Sequence, residues 1–264
     1  MKNILIIGAS SFIGQNLIKK IRQNVFIYAT YNSTKKLVRK KNIKYFQFNL
    51  YNPNFNNIPE NIDCIIFLAH PIIQGTDKLK LFFKNLNIIR KKLLLKKFNK
   101  LIYISSGSVY ETGKVKSLNA RSKINAEKIL CNLNKKKIII LRIFFPYGKN
   151  QKNRMLPNLI NNLKSKNKVN ILQNSYKIYP THVSDIVKVI IKVMKNKNIK
   201  GIFNVYNPKE RMSMHDICKM ILGKKIINKS FNFKKIKKLK INHTHQNLLE
   251  NSNIKLFQLE LKIF

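Results

Sequence analysis

The sequence predicts an α/β protein, a doubly wound parallel sheet with a small C-terminal lobe. Short, largely apolar runs alternate with amphipathic helical stretches over roughly the first two-thirds of the 264 residues. The first run ends in a glycine turn that opens a helix, and a composition that is 44% hydrophobic supplies enough apolar surface for a full core.

Residues 4–7 are uninterruptedly apolar and stop at Gly8, the pattern of a strand buried on both faces. Residues 12–21 then place Ile13, Leu17, Ile18 and Ile21 at helical spacing. Strands are predicted at 25–30, 44–48 and 64–68. Thr76 and Asp77 form a helix start, after which Leu79, Phe82, Phe83, Leu86, Ile89 and Leu93 recur on one face. A strand at 101–105, a helix at 120–133 and a strand at 138–144 complete the regular part. Past Pro146 the rhythm loosens into a helix at 156–163, short strands at 169–172 and 178–181, a helix at 184–194, a strand at 202–205 and a helix at 213–222 capped by Ser213. This second region is expected as a lid beside the C-terminal edge of the sheet. After Gly223 the chain is lysine-rich and poorly periodic.

No apolar run approaches the roughly 18 residues of a membrane span. No signal-peptide hydrophobic region follows Met1, so a soluble, cytoplasmic protein is expected. Cys64, Cys131 and Cys218 lie far apart, without disulfide or metal-ligand spacing, and read as small core residues; no metal site is expected.

Fifty-three Lys and Arg against 10 Asp and Glu give a formal charge of +43, which at face value suggests nucleic acid or an anionic surface as partner. Lys, Asn and Ile are inflated together, as an AT-biased coding sequence would produce, and basic runs such as Lys35-Lys36 and Arg39-Lys40-Lys41 fall at helix ends and loops. No recognition motif accompanies the charge, so nucleic acid is set aside as a partner. An anionic substrate would still be drawn in by the field.

The segment Gly8-Ala9-Ser10-Ser11-Phe12-Ile13-Gly14 carries the functional signal. Gly8 permits a tight turn, the free N–H groups of the helix face a pyrophosphate, and Gly14 lets helix and strand pack closely. Ser11 stands where a third glycine is usual; its N–H and hydroxyl are both expected to remain available to a phosphate. The second strand ends Ala29-Thr30-Tyr31-Asn32-Ser33 with Lys35 and Lys36 following, and has no carboxylate to hold a ribose 2′-hydroxyl. This favours NADP over NAD, unless the loop is simply solvated.

These residues, with DCIIFLAH (63–70), YISSGSVYE (103–111), SKINAEKIL (122–130), LRIFFPYGKNQ (141–151), YPTHVSDIVKVI (179–190) and GIFNVYNP (201–208), resemble the extended short-chain dehydrogenase/reductases, specifically the NAD-dependent epimerase/dehydratase family acting on nucleotide sugars. The resemblance runs from Met1 to about Asn207. It implies a Rossmann core over residues 1–145 and a small mixed α/β substrate lobe over 146–264, interleaved with the core. It implies cofactor contacts at Gly8, Ser10, Ser11, Phe12, Ile13, Gly14, Tyr31, Asn32, Asn49, Leu50, Leu68, Ala69, His70, Lys123 and Phe145. Ser106 would polarise the substrate carbonyl or hydroxyl, and Lys123 would grip the nicotinamide ribose.

One departure stands out. The family's catalytic tyrosine would occupy position 119, and this chain has Asn119, expected to share a helix face with Lys123. An amide donates a hydrogen bond but does not titrate. Either the site binds without turnover, or another phenol such as Tyr110 substitutes, or Ser106 and water deliver the proton in a slow reduction. The dehydratase branch places an Asp-Glu pair after the catalytic Ser/Thr, where this chain has Gly107-Ser108, which leaves epimerases and 4-keto-sugar reductases. His182 and Asp185 read as fold support, the aspartate capping a helix, and Arg142 and Arg154 as groups that can meet substrate phosphates. After Ile254-Lys255 the chain stops at Phe264, short of the family's final helix, so the lobe is expected to be incomplete or completed by a partner. The resemblance thus leaves two readings: an NAD(P)-dependent nucleotide-sugar enzyme of surface-polysaccharide precursor synthesis, or a non-catalytic binding member. A homodimer through the helices near residues 79–94 and 120–133 is expected in either case.

Overall fold

The computed structural model describes residues 3–33, 37–112, 115–133, 137–152, 154–165, 169–172, 177–222 and 231–234. In chain order the first half forms β1 (Asn3–Ile7), α1 (Phe12–Lys20), β2 (Phe26–Tyr31), β3 (Ile43–Gln47), β4 (Asn61–Phe67), α2 (Thr76–Leu94), β5 (Lys97–Ser106), α3 (Leu118–Cys131) and β6 (Ile138–Ile143). There follow β7 (Pro146–Tyr147), α4 (Met155–Ser165), β8 (Val169–Leu172), β9 (Lys177–Ile178), β10 (Thr181–His182), α5 (Val183–Lys195), β11 (Gly201–Val205), β12 (Met212–Ser213), α6 (Met214–Leu222) and β13 (Phe231–Lys234).

Ile4, Leu5, Ile6 and Ile7 are each 0% exposed, and a strand apolar on both sides must lie inside a sheet covered above and below. β1 accordingly sits between β2 and β4 in a seven-stranded parallel sheet of order β11-β6-β5-β4-β1-β2-β3. Alternate side chains divide its residues between two cores. Ile4 and Ile6 face Leu17 and Ile18 of α1 and Val187, Ile190 and Val193 of α5. Leu5 and Ile7 face Phe82, Leu86 and Ile89 of α2 and Ala126 and Leu130 of α3. The strand order reverses beside β1, which opens the crevice where doubly wound sheets take their ligands.

The region expected as a lid divides in two. Its α5 is a wall of the main core and its β11 extends the main sheet beside β6, because seven side chains of α5 are buried, a stripe too wide for a lid helix. A smaller cluster of Leu156, Ile178 and Ile217, with Phe145, Tyr147 and Leu159 packed on it, forms the lobe core. The single strand expected at 178–181 is two short ones. Pro180, which has no N–H to give a ladder, separates β9, antiparallel to β12, from β10, parallel to β7.

Several lysines at helix ends serve as caps. Lys40 Nζ donates to the carbonyls of Ile18, Lys19 and Ile21 at 2.8, 3.2 and 3.2 Å, closing α1 without a glycine. Lys100 Nζ does the same at the end of α5, to Val193 O at 2.6 Å and Asn196 O at 2.5 Å. Cys64 and Cys218 are buried as expected, whereas Cys131 is only half-buried. Among the described residues no helix is long and apolar enough to cross a membrane. Lys35, Lys36 and the chain end from Ile254 to Phe264 lie outside the described residues.

Candidate cofactor and active site

Gly8 leaves β1 with φ +90°, a left-handed conformation that other residues adopt at a cost. A Cβ there would lie 2.6 Å from Ala69 N, and one on Gly14 would lie 2.6 Å from Ala9 O and 2.7 Å from Gly8 O. Both glycines are thus required by backbone approach. The turn is pinned from below: Gly8 N–H donates to Thr30 Oγ1 at 2.9 Å and Ala9 N–H to Thr30 O at 2.8 Å. Thr30 is 1% exposed and so is not part of the open end of β2; Tyr31, Asn32 and Ser33 are.

Ser11 is more occupied than expected. Its N–H donates to Gly8 O at 3.1 Å, and its Oγ, as the helix cap, accepts from Gly14 N at 3.1 Å. Only the hydroxyl hydrogen is left to offer a phosphate. The N–H groups of Phe12 and Ile13, in the first turn of α1, have no acceptor within the helix and face the crevice end of the sheet.

Around this turn the sheet gathers the other expected residues. Ser10 carries its carbonyl to Gln15 Nε2 at 3.0 Å. Tyr31 and Asn32 end β2. Asn49 and Leu50 follow β3, Asn49 Oδ1 accepting from Tyr51 N at 2.8 Å and Leu50 buried. Leu68 and Ala69 follow β4, both N–H groups donating to Ile7 O at 2.8 and 2.9 Å. Phe145 follows β6 with φ +36°, a strained backbone for a bulky residue, held by Thr181 N–H on its carbonyl at 3.1 Å and by its ring in the lobe core.

Ser106 ends β5. Its Oγ accepts from Ser108 N at 3.1 Å, and its own hydrogen has no acceptor among the described residues. Gly107 lies against Phe144, where a Cβ would meet the ring at 2.6 Å. Phe144 is itself held by Tyr110, stacked at 6.1 Å, and Tyr206 at 5.4 Å. A carboxylate side chain at 107 has no room.

Asn119 and Lys123 are one turn apart on α3, but their side chains part. Asn119 is exposed and turns its Nδ2 to Ser108 Oγ at 3.1 Å. Lys123 is 7% exposed, donates to Ile104 O at 2.9 Å and lies 5.1 Å from the centre of the Tyr103 ring. Burial pulls its pKa down to about 7, against the opposing pull of Glu127 and with help from Arg154.

Tyr110 does not stand as the substitute phenol. Its hydroxyl donates to Asn204 Oδ1 at 2.9 Å and accepts from Arg142 Nη1 at 2.8 Å. Nor is Arg142 free for a phosphate. It meets Glu127 through Nε at 3.0 Å and Nη2 at 2.6 Å, and Glu127 Oε1 also accepts from Ser105 Oγ at 2.5 Å. Sequence reasoning missed Glu127. The signal was its place four residues after Lys123, a carboxylate on the inward face of α3. Arg154, by contrast, is exposed, and its charge bears on both His70 and Lys123.

His70 Nε2 lies 2.9 Å from Ser122 Oγ, and Ser122 Oγ donates its only hydrogen to Asn119 O at 2.7 Å. The imidazole is therefore the donor at Nε2, which leaves Nδ1 a lone-pair acceptor, buried and with no partner among the described residues. Burial first, then Lys123 and Arg154, hold its pKa well below the usual histidine value. In the second lobe the cap of α5 is His182, whose ring accepts from Ser184 N at 3.3 Å. Asp185 is in the first turn instead, accepting from Lys188 Nζ at 3.1 Å.

The model of the NAD dependent epimerase/dehydratase family matches residues 4–207. Among solved structures, UDP-glucuronic acid 4-epimerase from Bacillus cereus, in complex with UDP-glucuronic acid and NAD, is 22% identical with a TM-score of 0.72, covering 88% of this chain and 85% of that one. dTDP-glucose 4,6-dehydratase from Bacillus anthracis, in complex with NAD, is 18% identical with a TM-score of 0.66, covering 84% and 80%. UDP-N-acetylglucosamine 4-epimerase from Bacillus cereus is 19% identical with a TM-score of 0.65, covering 84% and 81%. At these identities the likeness is one of fold. Comparison with curated proteins gives no match.

Proposed function

The chain belongs to the NAD dependent epimerase/dehydratase family, and from that premise we propose that it binds a nicotinamide dinucleotide along the Gly8 to Gly14 turn and a nucleotide diphosphate sugar at the mouth beside Ser106, as an epimerase or 4-keto-sugar reductase. The observation that carries the proposal is the cradle itself. Two glycines leave no room for a Cβ, and the first-turn N–H groups of Phe12 and Ile13, without a partner among the described residues, lie at the switch point of the sheet.

When bound, the dinucleotide supplies the means of exchanging a hydrogen and its electron pair with a sugar carbon. The residues do the rest. Phe12 and Ile13 N–H meet the pyrophosphate, with the Ser11 hydroxyl as a third donor. Lys123 and the His70 Nδ1 lone pair line the inner end, where a ribose offers both acceptors and donors. Ser106, already hydrogen-bonded at its oxygen by Ser108 N–H, donates to the sugar carbonyl or hydroxyl, and Arg154 meets a phosphate. Gly107, blocked by Phe144, argues for an epimerase or reductase over a dehydratase. The open end of β2 carries no carboxylate, which supports NADP; similar structures are NAD complexes, which supports NAD. Titration with both dinucleotides ranks them.

A second reading is favoured by the side chains of Asn119 and Tyr110: the first is an amide tied to Ser108 and the second is locked between Asn204 and Arg142, so neither offers a phenol free to exchange a proton. On that reading the chain binds cofactor and nucleotide sugar without turnover. Asn119→Tyr separates the two. Created or raised conversion of a nucleotide sugar supports an intact pocket, and cofactor binding with no conversion by either form supports the binding protein. The proposal extends to a cytoplasmic homodimer in surface-polysaccharide precursor synthesis.

A further inference from the structure

We propose that Lys123 is the proton donor and acceptor of this active site, taking over the step that a phenol at position 119 would perform; the inference rests on the catalytic reading above. The other groups at the mouth are eliminated by their bonds. The Asn119 amide has no proton to transfer and is held by Ser108. The Tyr110 hydroxyl gives its hydrogen to Asn204 and accepts from Arg142. His70 donates at Nε2 to Ser122, whose own hydrogen ends on the main-chain carbonyl of Asn119, so that chain leads nowhere a proton can go; Nδ1 has a lone pair and nothing to give.

Lys123 differs from all of them in position. It lies one helical turn below Asn119, and its Nζ is tied by one hydrogen to Ile104 O, in the strand segment that runs on through Ser105 to Ser106. Among the described residues no acceptor takes its other two hydrogens. The Asn119 amide, shorter than a phenol, is bonded to Ser108 Oγ and makes no hydrogen bond to Lys123 among the described residues; on this proposal a substrate oxygen held by Ser106 meets the ammonium.

The groups that face Lys123 set its proton affinity. The Tyr103 ring from β5 covers it, Glu127 lies one turn on along α3, and His70 from the loop after β4 and Arg154 before α4 are near enough for their charges to interact with it or with each other. Burial and the arginine outweigh the glutamate, and the balance falls at about 7. An ordinary lysine, at about 10.4, would be almost wholly charged at neutral pH and so a poor proton acceptor for the reverse step. In reduction of a keto sugar the carbonyl carbon gains a hydrogen with its electron pair from the reduced nicotinamide. The C=O π pair moves to oxygen, the Lys123 N–H bond breaks and the new O–H bond forms. The neutral amine left behind is reprotonated from water, and oxidation of an alcohol runs the same transfer backward.

Two measurements test this. In the first, the protein without cofactor is labelled with ¹³C at the lysine ε-carbons and titrated by NMR, Lys123 being identified by the signal lost in Lys123→Arg. A midpoint near 7 is expected, and a midpoint near the ordinary 10.4 overturns the proposal whatever the protein does with sugars. In the second, reduction of a 4-keto nucleotide sugar is followed at saturating cofactor. The rate should fall about tenfold per pH unit above the same midpoint. Lys123→Arg, with cofactor binding measured alongside, should lower it by about 100-fold or more, and adding Asn119→Tyr to that variant should recover it. A rate flat across the midpoint, or unchanged in Lys123→Arg, overturns the proposal alone. Cofactor binding without reduction of any keto sugar or epimerisation of any nucleotide sugar removes the catalytic reading and this proposal with it.

Discussion

Asn119 and Lys123 occupy neighbouring turns of α3, yet the first is spent at the surface on Ser108 and the second is buried and tied to Ile104 O. The spacing was legible in the sequence, because i and i+4 share a face whatever the tertiary context. The direction of each side chain was not, since Ile104 in β5 and Ser108 in the turn after it meet α3 only in the fold. The same holds for Arg142, a candidate phosphate ligand by type, which is claimed by Glu127. Removing one partner of so enclosed a pair strands the other. Glu127→Ala should therefore destabilise the protein by roughly 3–5 kcal/mol, and Glu127→Met with Arg142→Met together by much less. Urea denaturation of the three proteins checks this, and a double variant as unstable as the single would contradict it.

His70 and Lys123 also make stability depend on pH with a definite sign. Both are held below their ordinary values of 6.5 and 10.5, so the folded chain carries fewer protons than the unfolded one between each folded value and the ordinary one. Stability from these groups rises with pH across those windows: up to about 6.5 for His70, and from about 7 to about 10.5 for Lys123. The denaturation midpoint should climb with pH over both ranges. His70→Phe should flatten the acid limb and Lys123→Met the alkaline one; variants that track the unmodified protein across both limbs would contradict the assignment.

At the scale of elements, apolar runs and helical stripes placed every strand of the main sheet within a few residues, because a buried parallel strand has little freedom in composition. What periodicity could not report was destination. The helix at 183–195 and the strand at 201–205 follow a loosened stretch and so looked like part of a lid, whereas they return to the main sheet. The glycine turn was legible as a motif, but its support was not: Thr30, read as part of an open ribose loop, is the buried acceptor that fixes Gly8. Thr30→Val leaves that N–H without a partner. It should cost about 1–3 kcal/mol of stability and weaken dinucleotide affinity as well. Loss of stability with affinity unaltered would show that the turn does not depend on this bond for its binding geometry.

At the scale of the whole molecule, the charge of +43 has to be reconciled with a dinucleotide fold. Part of it is structural, as Lys40 and Lys100 show by closing helix ends. The remainder makes a positive field that draws in anionic ligands and opposes self-association. Exposed Leu81 and Ile88 on α2 are interleaved with exposed Lys84 and Lys91. The proposed dimer through that helix should therefore tighten as salt screens the lysines, while association of a dinucleotide slows. Sedimentation at low and high ionic strength checks the first, and stopped-flow binding the second. A dimer that loosens with salt would point away from this face.

On the proposed reading the turn from Gly8 to Gly14 holds a nicotinamide dinucleotide whether or not the site turns over. Titration of the purified protein with NADH and NADPH, followed by nicotinamide fluorescence, checks this. Saturable binding of at least one of them, at one site per chain and displaced by its oxidised form, is the predicted result. Failure of both to bind a fully folded protein would show that the turn is not a dinucleotide site.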